Sequence, residues 1–263
     1  MKFMAKWRVR KPADDAQTAY VSERFGVRTL HIGSDTVQSA MRIARPYDLE
    51  LSYTRSMMAF LLFMPRRPRE VLLIGLGGGS LAKFIYRALP AARVRAVELS
   101  AQVVAIARHY FHVPANEPRL QVIVGDGAEY MTREDVSADL VVVDGYGADA
   151  HAEELGRREF YRACNQRLTA NGMLVVNLWG GDREFTALLR RIEDAFPEGT
   201  LCLPAERPGN VIVFGFKKNP GAVAWKDITK RADALENEIG LEYGRFAEAL
   251  RKMNRHDKEH LYP

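Results

Sequence analysis

From residue 71 onward the chain repeats one unit, an apolar run of strand length followed by a stretch whose apolar residues return at helical spacing. The runs are VLLIG at 71–75, VRAVEL at 94–99, LQVIVG at 120–125, DLVVVDG at 139–145 and MLVVNLW at 173–179. Between them, helices are predicted near 79–89, at 101–110, after Asp126 and near 156–168. Strands separated by helices pair in parallel, and the crossover helices then cover both faces of the sheet. A strand buried on both faces reads as a continuous apolar run, as these do. A helix near 182–195 and two further runs, GTLCLPA and NVIVFGF, joined by a turn at 206–209, predict an antiparallel pair that closes a seven-stranded sheet of α/β class.

Upstream, β-formers at 18–24, 27–32 and 37–43, broken at Gly26 and at Gly33-Ser34-Asp35, predict a small N-terminal β-domain. A helix over 49–64 follows, stopped by Pro65 and Pro68. A charged helical tail spans 224–256, with a break at Gly240. The reading is therefore a β-rich unit with its connecting helix at 1–64, an α/β unit at 65–220 and a helical extension at 221–263. A chain of 263 residues with 47% hydrophobic content can bury one such core.

The longest apolar run, MMAFLLFM at 57–64, is too short to span a bilayer, so no membrane association is expected. It reads as the buried side of a helix, or as a face offered to a second copy. The start, MKFMAKWRVRK, lacks the apolar centre of a secretory signal, and a cytoplasmic location is the expectation. Cys164 and Cys202 stand alone, as do His109 and His112, so neither a disulfide framework nor a metal site is expected. The net charge of +5 is spread among 33 acidic residues, and the basic stretches 2–11 and 66–69 read as solvated segments; nucleic acid is not an expected partner.

Chemistry concentrates at the strand ends. Gly75, Gly77 and Gly79 allow a tight strand-to-helix turn whose backbone amides can approach a ligand. The order is G-x-G-x-G, with Ser80 where a dinucleotide fingerprint needs glycine, which favours a nucleoside without a pyrophosphate. Glu98 closes the next strand, nineteen residues after Gly79, where a carboxylate can accept both ribose hydroxyls. Asp126, with the small neighbours Gly127 and Ala128, can accept an adenine amino group. Asp144 ends the fourth strand. Open parallel sheets place ligands in the crevice where such ends converge. Trp179, Phe160 and Tyr161 are assigned to packing in the core or at a dimer face.

VLLIGLGGGSLAKFI, AVELS, GDGAEYM, DLVVVDG and EFYRACNQRLTANGMLVVNLW resemble the corresponding blocks of the spermidine synthases, the polyamine aminopropyltransferases. SDTVQSAMRIARPYDLELSYTRSMM is similar to their Asp-Gly-x-x-Gln turn and Tyr-centred helix, so the likeness runs over about 18–216. It implies a Rossmann-like, methyltransferase-type sheet behind a small β-domain, a homodimer, and an S-adenosylmethionine-type donor used without a metal. On the matching residues it implies that Glu98 holds the ribose, that Asp126, Gly127 and Ala128 hold the adenine, and that Gln38 and Tyr53 line the transfer site. Asp144 would be the general base, accepting a proton as an amine attacks the carbon beside the sulfonium.

The chain departs from this pattern in three acids. Gly78 stands where the family has the aspartate that pairs with the ammonium of decarboxylated S-adenosylmethionine, Gly147 where it has the second acid of D-x-x-D, and Arg55 where it has an acid after the tyrosine. Carboxylates offset the cost of desolvating ammonium groups, so the amine half is the altered half. Asp149, Glu153 and Glu154 stand either as substitutes or as solvated loop acids, and Tyr146 as an aromatic wall for an aliphatic amine or sulfonium. Three readings follow: an aminopropyltransferase, a methyltransferase using intact S-adenosylmethionine, and a non-catalytic nucleotide-binding relative.

Overall fold

A computed structural model describes residues 19–145, 153–205 and 209–263. Strands β1 (Ala19–Arg24), β2 (Val27–Ile32) and β3 (Val37–Arg42) form an antiparallel three-stranded sheet. The larger sheet contains β4 (Glu70–Ile74), β5 (Arg93–Glu98), β6 (Leu120–Val124), β7 (Ala138–Val143), β8 (Leu168–Trp179), β9 (Thr200–Pro204) and β10 (Asn210–Phe216). Its order is β6-β5-β4-β7-β8-β10-β9; the pairs from β6 to β8 are parallel, and β10 runs antiparallel to both β8 and β9. The chain winds outward from β4 to β6, then returns to place β7 on the other side of β4. The switch point of the sheet therefore lies between β4 and β7, where such sheets open a ligand crevice.

Strand residues alternate strictly between two cores. Leu73, Val142 and Val175 face α2 (Ser80–Ala88), α7 (Trp225–Ile239) and α8 (Tyr243–Leu250). Leu72, Val141 and Val176 face α4 (Gly127–Thr132), α5 (Arg158–Arg167) and α6 (Phe185–Ala195). Both faces are buried, which is why the period-two signal of a half-exposed strand is missing from these runs. The small sheet packs through Ala19, Leu30 and Met41 onto Val103 of α3 (Ala101–Tyr110) and onto Phe111. That contact brings β3 above the crevice.

The predicted helix over 49–64 is shorter and divided. Helix α1 covers Ser52–Met57 and tightens into a 3-10 turn over Met58–Leu62. It starts late because the Arg55 guanidinium turns back to the carbonyls of Leu49 and Glu50, which fixes that loop outside the helix. All five residues of the 3-10 turn are buried within this chain, under α7 and α8. These residues therefore pack into this chain's own core, and within the run Phe63 is the partly exposed residue. A two-stranded sheet of β11 (Val223–Ala224) and β12 (His260–Leu261) brackets the extension and is too short to leave a sequence pattern. Among the described residues no helix is long and apolar enough to cross a membrane.

Lys83 on α2 joins the two sheets. Its side chain is fully buried, and Nζ donates to the carbonyls of Pro46 (2.7 Å) and Phe111 and lies against Met41 Sδ. Burial lowers the pKa of this ammonium to about 8. Between that value and the ordinary 10.5 the unfolded chain binds more protons than the folded one, so the lysine's contribution to stability rises with pH across the interval. A Lys83→Met variant leaves both carbonyls without their donor and is expected to lose about 1–3 kcal/mol in urea unfolding. The gap to the wild type should widen from pH 8 to pH 10; a gap that narrows would contradict the buried-ammonium reading.

Candidate active site

The turn after β4 takes a left-handed backbone at each of the three glycines, with φ of 93° at Gly75, 53° at Gly77 and 70° at Gly79. At Gly75 there is a second requirement, because a Cβ there would lie 2.3 Å from the backbone oxygen of Asp144. Gly79 is the N-cap of α2, and the next helices are capped by side chains at the same end of the sheet. Ser100 accepts from Val103 N at the start of α3, and Asp126 Oδ1 accepts from Ala128 N (2.7 Å) and Glu129 N (3.2 Å) at the start of α4. The cap occupies one oxygen of Asp126. Gly127 is held tightly, with Ile74 Cγ2 2.4 Å from where its Cβ would be.

Glu98 faces the glycine turn. Its Oε2 accepts from Leu76 N (2.9 Å) and Gly77 N (3.4 Å), and its Oε1 from Ser100 N (3.0 Å). A carboxylate has about four acceptor positions, so this anchoring leaves capacity for a hydroxyl donor. Two apolar residues that sequence reasoning passed over lie beside it: Leu99 is 70% exposed and Val124 is 52% exposed, on adjoining strand ends. Exposed large apolar side chains at a strand-end crevice are the signal that would have found them.

Asp144 lies across the turn from Glu98. Part of the residue reaches solvent, yet its carboxyl is enclosed by protein. Tyr53 Oη donates to Oδ2 (3.2 Å) and also lies 3.5 Å from the carbonyl of Gln38, which brings α1 and β3 to this carboxyl. Asn177 Nδ2 donates to Oδ1 (2.9 Å), and Asn210 Nδ2 donates to Asn177 Oδ1 (2.9 Å). Burial raises the carboxyl's pKa above the usual carboxylate range, while the Asn177 and Tyr53 bonds oppose the rise. Asn177 and Asn210 were missed in the sequence. The signal for Asn177 was a polar residue inside the apolar run of β8, where an unbonded amide is costly.

The altered acids have physical substitutes. A Cβ at Gly78 would lie 2.7 Å from Ser39 Oγ and 2.8 Å from Phe111 Cδ1, so the room for a side chain is filled. Arg55 is turned to Glu242 (Nε to Oε1, 2.7 Å), the residue that precedes α8. Glu153 and Glu154 are exposed and paired with Arg157, as solvated acids are. Tyr146, Gly147 and Asp149 lie outside the described residues. Phe160 and Tyr161 are buried in the core, whereas Trp179 is 48% exposed and stacks over Gly209 instead of entering it.

A doubly wound sheet with a glycine turn, an acid on each of the next strand ends and a small β-sheet above them is the architecture of the methyltransferase fold class. Residues 50–220 match the spermine/spermidine synthase domain model. A polyamine aminopropyltransferase of Chromobacterium violaceum is 38% identical over 254 residues, 97% of each chain. Among solved structures, spermidine synthase in complex with the transition-state analogue AdoDATO superposes with a TM-score of 0.67 at 19% identity, over 88% of this chain and 83% of that one. Human methyltransferase-like protein 13 in complex with SAH gives 0.66 at 21%, over 79% and 96%. The chain belongs to the spermine/spermidine synthase family and is a transferase.

The packing at position 78 makes a stability prediction. Gly78→Asp should cost about 1–3 kcal/mol in urea unfolding through overpacking. The cost should shrink on a Phe111→Ala background; equal costs in both backgrounds would show that the two side chains do not compete for the same space.

Proposed function

We propose that the chain transfers an aminopropyl group from decarboxylated S-adenosylmethionine to a small amine, with Asp144 as general base. The observation that carries this reading is the enclosed Asp144 carboxyl beside the glycine turn, held by Tyr53 and Asn177. In the step, the amine lone pair forms a bond to the carbon next to the sulfonium, the carbon–sulfur bond breaks, and its electrons return to sulfur, giving methylthioadenosine. The attacking nitrogen becomes positive and releases its proton to the Asp144 carboxylate. Glu98 is assigned to the ribose. Asp126, with Gly127 and Ala128, is assigned to the adenine edge, with Leu99 and Val124 beside the ring. Gln38 and Tyr53 line the transfer site, and Tyr146 and Asp149 are the candidates for the acceptor end.

A methyl donor is the second reading, favoured by one observation: the space at Gly78 is filled by Ser39 and Phe111 and holds no carboxylate to repel a methionine carboxylate. Against it, the amides of Leu76 and Gly77, the candidates to receive that carboxylate, already serve Glu98. Thermal shift separates the donors, because a ligand stabilises in proportion to how well it binds the folded state. Decarboxylated S-adenosylmethionine and methylthioadenosine should raise Tm more than S-adenosylmethionine at equal concentration; the reverse order would favour the methyl donor.

Asp144→Asn should lower turnover by about 10²–10⁴-fold. The folded state raises the Asp144 pKa, so it holds this proton to higher pH than the unfolded chain does, and stability falls as pH rises through that interval. The variant removes this penalty. Its unliganded Tm at pH 8 should therefore exceed that of the wild type, and a lower Tm would contradict the assignment of the carboxyl as a strained buried charge.

A further inference from the structure

We propose that Asn210 is a positioning residue that keeps Asp144 in its proton-accepting form, acting through the amide of Asn177. The inference deepens the reading of Asp144 as the base and rests on it for its catalytic consequence. The three residues stand on neighbouring strand positions, at the end of β7, within β8 and at the start of β10. Their side chains form one directed series, in which Asn210 donates to Asn177 and Asn177 donates to Asp144, each over 2.9 Å.

The argument turns on the two-ended chemistry of a primary amide. The oxygen end only accepts and the nitrogen end only donates, so a half-turn about the last bond reverses what the group offers its neighbour. Asn177 is 2% exposed and sits in the apolar second half of β8, so both ends need partners. Because Asn210 presents an N–H to its oxygen, a half-turn would set N–H against N–H on one side and oxygen against the Asp144 carboxylate on the other. The orientation that remains aims N–H at Asp144, and a donor stabilises a carboxylate over a carboxylic acid. In the reversed orientation the amide oxygen would stabilise the protonated acid. Asn210 therefore reinforces the orientation of Asn177 that favours the carboxylate, without touching Asp144.

The surroundings leave this bond unusually important. Among the described residues, the titratable group facing Asp144 is Tyr53, from α1. Glu98 on β5 is turned into the glycine turn, and Arg55 on α1 is paired with Glu242. Strand β4 meets Asp144 through Gly75, and Leu155 lies against Gly145. Burial favours the neutral acid, with the two hydrogen bonds as the opposing influences.

The test is direct titration of the carboxyl in the unliganded protein. Aspartate side chains labelled with 13C are followed by NMR, with the Asp144 signal assigned by its loss in Asp144→Asn. In Asn210→Ala and in Asn177→Leu the Asp144 midpoint should move to higher pH. The double variant should move no further than Asn177→Leu alone, since Asn210 acts through that amide. An unchanged midpoint in Asn210→Ala overturns the proposal; Asn210→Ser, which keeps a donor and shifts the midpoint less, serves if the alanine variant does not fold. With decarboxylated S-adenosylmethionine and putrescine, kcat of Asn210→Ala should fall roughly tenfold at the acid end of the pH profile and recover at the alkaline end. KM for the donor should hold. An equal loss at every pH would mark a merely structural role and overturn the proposal. Wild-type turnover by Asp144→Asn would remove the base assignment alone, while the NMR midpoints would still decide whether Asn210 orients Asn177.

Discussion

A side chain at residue 75 would place its Cβ 2.3 Å from the backbone oxygen of Asp144, so the two central strand ends approach as they do because residue 75 is glycine. The approach is fastened by Asp144 N donating to Ile74 O and by Gly75 N donating to Val97 O. Three strand ends are thereby held in one place: the turn that leads into α2, the acid-bearing end of β5 and the carboxyl after β7. Everything proposed for the site depends on that convergence. The glycine turn and the Asp144 carboxyl therefore stand on adjoining strand ends, and the proposed reaction depends on that closeness.

The order and type of the strands and helices in the large sheet were legible because the central strands are buried on both faces and each helix on one, which writes apolar runs and helical spacing into the sequence. The acids Glu98, Asp126 and Asp144 were legible for a related reason: each stands where an apolar run stops. What escaped depended on tertiary contact. The stretch 49–64 has helical spacing, yet the Arg55 guanidinium holds the carbonyls of Leu49 and Glu50 and shortens it, and complete burial of the next five residues tightens the winding. Asn210 opens the predicted strand NVIVFGF, and nothing local marks its role, since its partner lies 33 positions away.

The residues that stand where the resemblance implied acids are tied into the packing of this chain. The space at Gly78 is taken by Phe111, whose carbonyl is held by the buried ammonium of Lys83, and Lys83 in turn reaches Pro46 beneath the small sheet. An aspartate at 78 would disturb the packing that joins the two sheets. Arg55 has a comparable second role, because its guanidinium ties the connecting segment to Glu242. Tyr243 Oη donates to Met58 O, and Arg231 donates to Leu61 O and Met64 O, so three side chains clamp one short segment against the extension.

This clamp bears on how the Asp144 carboxyl is supported. Tyr53 sits on the same helix as Arg55, two residues earlier, and its hydroxyl is one of the two donors that oppose the burial of Asp144. Fixing Arg55 to the extension therefore fixes the position of Tyr53 over the carboxyl, while Asn177 approaches from β8 on the other side. A carboxylate at position 55 would offer charge to an amine. An arginine there instead offers rigidity to the helix that carries Tyr53. Arg55 thus acts at that position through its tie to Glu242, and the Asp144 carboxyl is held by two neutral donors, Tyr53 and Asn177, whose geometry is set by packing.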